Sequence, residues 1–156
     1  MIAAQRWPDN TVAHAYDASR AAAAERAALI AARRSFITET VFSHPSKIEL
    51  LEQARTRGYL TTLHVVMVPE DLSVVRVGLR VRAGGHDVPE AKIRARHRRL
   101  FALIADAVDA VDETVVYDNS RARPAFRVVA RFERGRVVGA PDWPRWTPDA
   151  LQALTR

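Results

Sequence analysis

The chain of 156 residues contains no cysteine, which closes off both a disulfide framework and a thiolate metal site. Lysine is nearly missing too: Lys47 and Lys92 are the only two, leaving 22 of the 24 basic residues as arginine. That bias, set beside heavy use of alanine, is a compositional habit. It discounts the nucleic-acid reading that a net charge of +6 and a pI near 10.6 invite. Aromatic residues are sparse, at 7%, and none interleaves the densest basic stretch as a single-strand stacking platform requires. No apolar run reaches the length of a membrane span, and residues 1–20 lack the charged-then-apolar layout of a signal peptide. The absences together predict a cytoplasmic chain that engages neither membrane nor nucleic acid.

What remains is ordinary for a globular protein, with 48% hydrophobic and 27% charged residues, and the length suits a single domain over residues 1–156. Residues 14–34 read as an Ala-rich helix, and Ser35 to Phe42 as a strand of β-branched and aromatic residues. Ser46-Lys47-Ile48-Glu49 has the capping-box pattern and opens a helix that ends near Gly58. Leu60 to Val68 reads as a parallel strand buried on both faces, with His64 a core or edge histidine. Pro69-Glu70-Asp71 starts the next helix and Pro89-Glu90 a longer one, whose apolar stripe includes Leu100, Leu103, Ile104, Ala107, Val108 and Val111. Thr114 to Tyr117 is a short strand ending in the turn trio Asp118-Asn119-Ser120. Phe126, Val128, Ala130 and Phe132 alternate with Arg127, Val129 and Arg131 in a terminal hairpin with one wet face. A Pro/Trp-rich loop follows over residues 141–148, and Thr147 is placed to cap a last short helix. Strands alternating with helices predict an α/β fold with a mostly parallel sheet.

The stretch with most chemical content is Arg76 to Arg99. Arg76, Arg80, Arg94 and Arg98 recur at helical spacing, Arg82, Arg96 and Arg99 lie near them, and Gly84-Gly85-His86-Asp87 separates the two helices. Arginine suits phosphate because its planar fork binds phosphate oxygens in pairs and keeps its proton. Asp87 and Glu90 are the only acids inside the segment, so it is expected to stay strongly basic, as a lid that closes on phosphates or as a solvated helix pair. Glu39 and Thr40 sit where a parallel strand is expected to end, the place where ligands bind in open α/β sheets. Asp118 and Asn119 end another strand in the same way.

Three motifs in order, Ser35-Phe36-Ile37-Thr38-Glu39-Thr40, the arginine-rich run at 76–90 and Val116-Tyr117-Asp118-Asn119-Ser120, resemble the zeta-toxin family of P-loop kinases. The resemblance implies a P-loop NTPase-like three-layer α/β fold with a mostly parallel sheet, N-terminally truncated, and a C-terminal β-hairpin. It implies an ATP-dependent phosphotransferase that uses ATP and Mg2+ on a small-molecule acceptor, a nucleotide sugar in the best-known members, and an antitoxin protein as partner. Carried over by position, Glu39 and Thr40 would meet the acceptor, and Arg80 and Arg96 would grip the nucleotide phosphates and act in catalysis. Asn119 would join the nucleotide site, and no residue is assigned to metal. Ser43 stands where the sugar-phosphorylating toxins use a basic residue, so the UDP-sugar acceptor does not carry over.

The departure lies at the start. The family's Gly-x-x-x-x-Gly-Lys-Ser/Thr loop and Asn-Ala-Asp segment occur nowhere in the 156 residues, and Met1-Ile2-Ala3-Ala4 matches the point where that segment ends. The expectation is a start placed at an internal methionine, with this chain alone inactive. The alternatives are a gene remnant and a non-catalytic binding module that holds an anionic ligand or partner on its basic surface. The missing strand is expected between the Glu39 strand and the one ending at Asp118, which would leave apolar edges open.

Overall fold

The computed structural model describes residues 15–85 and 87–156. Residues 1–4, where the departure from the family pattern falls, and His86 lie outside them. The chain divides into two compact units, residues 1–39 and 40–156.

In the first unit, helix α1 spans Ala15–Ala31. It closes where Arg33 takes a left-handed φ of 53° and Arg34 N–H turns back to Leu29 O at 3.0 Å. The strand expected over residues 35–42 does not form: residues 34–43 have no regular structure. Side-chain type was a poor guide here because β-branched residues favour strands only where a pleated neighbour exists. Ile37 is fully exposed at 101% and Val41 is 61% exposed, so neither packs as a strand residue does.

The second unit begins with Phe42 buried in its core, followed by α2 over Ser46–Thr56. No capping box forms, because the chain enters through Pro45, and Ser46 N–H donates instead to His44 Nδ1 at 3.2 Å. A four-stranded sheet follows in the order β1-β2-β3-β4, with β1 Thr62–Met67, β2 Glu113–Asp118, β3 Arg127–Glu133 and β4 Arg136–Val137. Only β1 and β2 are parallel, so the mostly parallel sheet is replaced by a mixed one. The terminal hairpin supplies β3 and β4, and β3 also pairs antiparallel with β2.

β2 has β1 on one side and β3 on the other, which leaves no place beside the Asp118 strand for a further one. β4 is one edge of the sheet, and the other is β1. That strand is therefore not buried on both faces: Val65 and Met67 are buried, while Thr62, His64 and Val66 are exposed. His64 shares a 3.0 Å hydrogen bond with the Tyr117 hydroxyl on the exposed face.

Helices α3, Glu70–Arg82, and α4, Glu90–Val108, connect the parallel pair. α4 buries Phe101, Ile104, Ala107 and Val108 against Val65, Met67, Val116 and Phe132 in one cluster. Truncating Phe132 to alanine would cost about 3–5 kcal/mol on the usual scale for buried aromatics. α3 buries none of its residues.

A register shift between Val116 and Tyr117 makes Val129 an extra residue opposite β2. The bulge inverts the inside-outside phase, so Phe126 and Val128 are exposed while Ala130 and Phe132 are buried, against the simple alternation expected. The chain ends with α5, Asp149–Gln152, and a short 3-10 turn, Ala153–Thr155. Trp143 and Trp146 pack against the core. Thr147 does not cap α5; its hydroxyl donates to Pro144 O at 2.7 Å and its carbonyl accepts from Gln152.

Candidate functional site at the carboxyl ends of the parallel strands

β1 and β2 end side by side at Met67 and Asp118, and Asn119 N–H extends the ladder to Met67 O at 2.9 Å. Beyond these ends the chain turns through Val68-Pro69 into α3 and through Asp118-Asn119-Ser120 into the loop before β3. Ligands of α/β proteins settle beyond the carboxyl ends of parallel strands, so these two turns define the candidate site.

Three groups clamp the second turn. Asp118, 5% exposed, accepts from Ser120 N–H at 2.8 Å and from Arg127 Nη2 at 3.3 Å. Burial pushes the Asp118 carboxyl up, but the Ser120 hydrogen bonds and the Arg127 charge outweigh it and hold the group below its usual range. Arg127 also pairs with Asp142, which ties the turn to the Pro/Trp segment. From the opposite side Arg76 Nη2, on α3, donates to Asn119 O at 2.8 Å.

The first turn is the foot of a charged clasp. Arg94 of α4 donates to Glu70 at 3.0 Å, Asp71 at 2.7 Å and Glu90 at 2.8 Å. Three carboxylates around one guanidinium raise its already high pKa, with Asp71 the largest contributor. His97, one turn further on, donates from Nε2 to Val68 O at 3.0 Å, and its Nδ1 lies 3.7 Å from Glu70. The ring stands edge-on to Phe101, which joins the clasp to the core stripe of α4.

One arginine of the segment is taken up by acids. Glu70 and Asp71, outside the segment as delimited by sequence, saturate Arg94. The Gly84-Gly85 pair also has a more definite role than a loose hinge. Gly84 takes φ +86° and the Gly85 N–H donates to Arg80 O at 2.9 Å, which closes α3. A Cβ on Gly85 would lie 2.6 Å from Arg80 Cγ and 2.8 Å from Arg80 O, so only glycine fits against that arginine.

Of the residues singled out by sequence, Asn119 is brought to α3 through Arg76. Arg80 lies exposed in the last turn of α3, and Arg96 lies exposed in the second turn of α4. Glu39 and Thr40 are exposed on irregular chain, one ending the first unit and the other beginning the second. Arg76 and Arg127 were legible only as parts of an arginine-rich run and an alternating strand. Their partners lie 43 and 9 residues away, and no local spacing announces the pairing. An open depression of about 690 Å3 lies at the opposite end of the sheet, lined by Leu60, Asp112, Glu113, Glu133, Arg134 and Arg136. Asp112 there is already occupied by Thr61 N–H at 2.9 Å and faces Arg134 at 3.7 Å.

The family model described as zeta toxin matches residues 2–126. The chain belongs to the zeta toxin family. No curated protein and no solved structure matches it. The zeta-toxin match takes in both arginine-bearing helices and the Asp118-Asn119-Ser120 turn, and it stops just short of β3. Among the described residues, no group of three His, Cys, Asp or Glu side chains could hold a metal ion, and no helix is long and apolar enough to cross a membrane.

Proposed function

We propose that this zeta-toxin family chain serves ATP-dependent phosphoryl transfer to a small-molecule acceptor. The observation that carries the reading is the family match over the stretch that contains Arg76 to Arg99 and Asn119. Phosphoryl transfer needs positioning and positive charge around the transferred group more than covalent chemistry. Arg80 and Arg96 would meet the nucleotide phosphates, Asn119 the remainder of the nucleotide, and Glu39 with Thr40 the acceptor hydroxyl. ATP is a substrate in this reading. Among the described residues the donors do not form a metal cage, and Mg2+ in such reactions is held largely by phosphate oxygens with one or two protein groups. An antitoxin protein as partner belongs to the same proposal.

The test is transfer from γ-labelled ATP to a panel of nucleotide sugars and nucleosides by a form that carries the family's Gly-x-x-x-x-Gly-Lys-Ser/Thr loop, with Arg96→Ala beside it. Loss of transfer by about 100-fold in the variant supports the assignment, on the scale of removing one charge-stabilising group. Equal transfer by both removes Arg96 from the site. A second reading is a non-catalytic module that holds an anion on its basic helices, where Arg80 and Arg96 are exposed. It predicts binding without turnover that weakens as salt rises.

A further inference from the structure

We infer that the β1 edge of the sheet pairs with β1 of a second copy of this chain, antiparallel and centred on His64. Thr61 O accepts from Glu113 N–H at 3.1 Å and Met67 O from Asn119 N–H at 2.9 Å. A parallel ladder uses alternate residues, so Leu63 and Val65 also turn their backbone groups toward β2. The N–H and C=O groups of Thr62, His64 and Val66 point the other way, out of the sheet. Among the described residues, nothing hydrogen-bonds to them there. The strand holds no lysine, arginine, acid, proline or glycine, and Val66 is 49% exposed.

The two edges of the sheet differ in this respect. β4 has only 2 residues, opens with Arg136 and lies between Gly135 and Gly139, whose left-handed φ angles of 79° and 73° bend the chain away. A short, charged, bent strand resists the addition of another. β1 carries none of these devices. Strand addition is therefore directed to one edge, and association through it closes at two copies.

The strand fits its own edge. In an antiparallel pair centred on His64, that residue faces His64 of the second copy, and Thr62 faces Val66. Every outward N–H then meets an outward C=O, so each backbone group left over by the β1–β2 ladder is satisfied. The flanks agree with this direction. Arg55 and Arg57 precede β1, whereas Glu70 and Asp71 follow it. Antiparallel pairing sets the basic end of one copy beside the acidic end of the other, and parallel pairing would set like beside like.

The experiment is sedimentation equilibrium of the full chain from about 1 to about 100 μM, the range in which modest interfaces assemble. The expected species is a dimer of the 17.4 kDa chain. His64→Pro removes an N–H that the β1–β2 ladder does not use. By symmetry it deletes two hydrogen bonds of the pair and is expected to weaken the dimer roughly 30-fold. Val66→Lys, which places a charge on the edge, should weaken it as well. Because the chain has no cysteine, single substitutions report the register. Directly opposed residues lie about 5 Å apart, within disulfide reach. On mild oxidation His64→Cys should cross-link to itself, and Thr62→Cys should cross-link only when mixed with Val66→Cys. Should the proline variant lose its circular dichroism signal, the lysine and cysteine variants carry the comparison. A monomer throughout the range overturns the inference and leaves the edge to a strand of a different protein. A dimer indifferent to both Val66→Lys and His64→Pro overturns it by moving the contact elsewhere. Assembly beyond two copies, or Thr62→Cys cross-linking to itself, overturns the closed pairing centred on His64.

Discussion

Arg94 Nη1 lies 2.7 Å from Asp71 Oδ1 and 3.0 Å from Glu70 Oε1, so the first turn of α3 and the second turn of α4 are held together by charge. With Glu90 beside it, this arginine is fully committed within the protein. Arg94→Ala strands two or more carboxylates near one another and is expected to lower the thermal midpoint by a few degrees. The loss shrinks as salt is raised, because the clasp is partly open to solvent. A midpoint unchanged at low salt would show that the clasp contributes nothing.

Gly85 presses on Arg80. Gly85→Ala forces its Cβ against the Arg80 carbonyl and side chain, so the end of α3 must shift. We expect a loss of about 1–2 kcal/mol in urea unfolding, within the range of strained backbone sites. On the role proposed for Arg80, weaker tripolyphosphate binding should accompany it. Unchanged stability and binding would mean the turn relaxes freely.

Thr114 is fully buried on the core side of β2, and its hydroxyl is without a hydrogen-bond partner. An unpartnered buried polar group costs about 1–3 kcal/mol, so Thr114→Val, similar in shape, is expected to stabilise the chain by about 1 kcal/mol. The reading is checked by the urea midpoint. A destabilised variant would show that the hydroxyl is satisfied in solution.

Asp118 and Asp112 both have carboxyl groups held below the ordinary 3.8. For Asp112 the largest cause is the Thr61 backbone hydrogen bond. A depressed folded value means the unfolded chain binds more protons, so stability rises with pH across this window. Their contribution is fully present above the unfolded value and is lost as pH falls through the lower folded values. Thermal midpoints measured from pH 6 down to pH 2 should fall steeply below about pH 4. The fall should be shallower in Asp118→Asn. Parallel curves for the two proteins would remove Asp118 from the acid response.

Local pattern made the helices legible. Pro69 and Pro89 mark the starts of α3 and α4, and the stripe through Ile104, Ala107 and Val108 marks the buried face of α4. Strand content was legible only where a partner exists. Thr62–Met67 pairs with Glu113–Asp118, whereas the equally strand-like Ser35 to Phe42 has no ladder to join. The hairpin's phase was misread because a bulge at Val129 is a property of two strands, not of one sequence. At the site, sequence gave Asn119 and the arginines as residue types, but it could not pair them. Arg94 finds Glu70 and Asp71 across 24 and 23 residues, and Arg76 finds a backbone carbonyl, which leaves no trace in sequence.

The most direct test of the central claim is thermal unfolding of the 156-residue chain with and without Mg-ATP. A ligand bound only by the folded state at about 100 times its Kd adds about 2.7 kcal/mol. For a chain of this size, that should raise the midpoint by roughly 5–10 °C. Such a rise, absent with Mg2+ alone, is the predicted result. An unchanged midpoint at millimolar ATP would contradict the assignment of a nucleotide site to the carboxyl ends of β1 and β2.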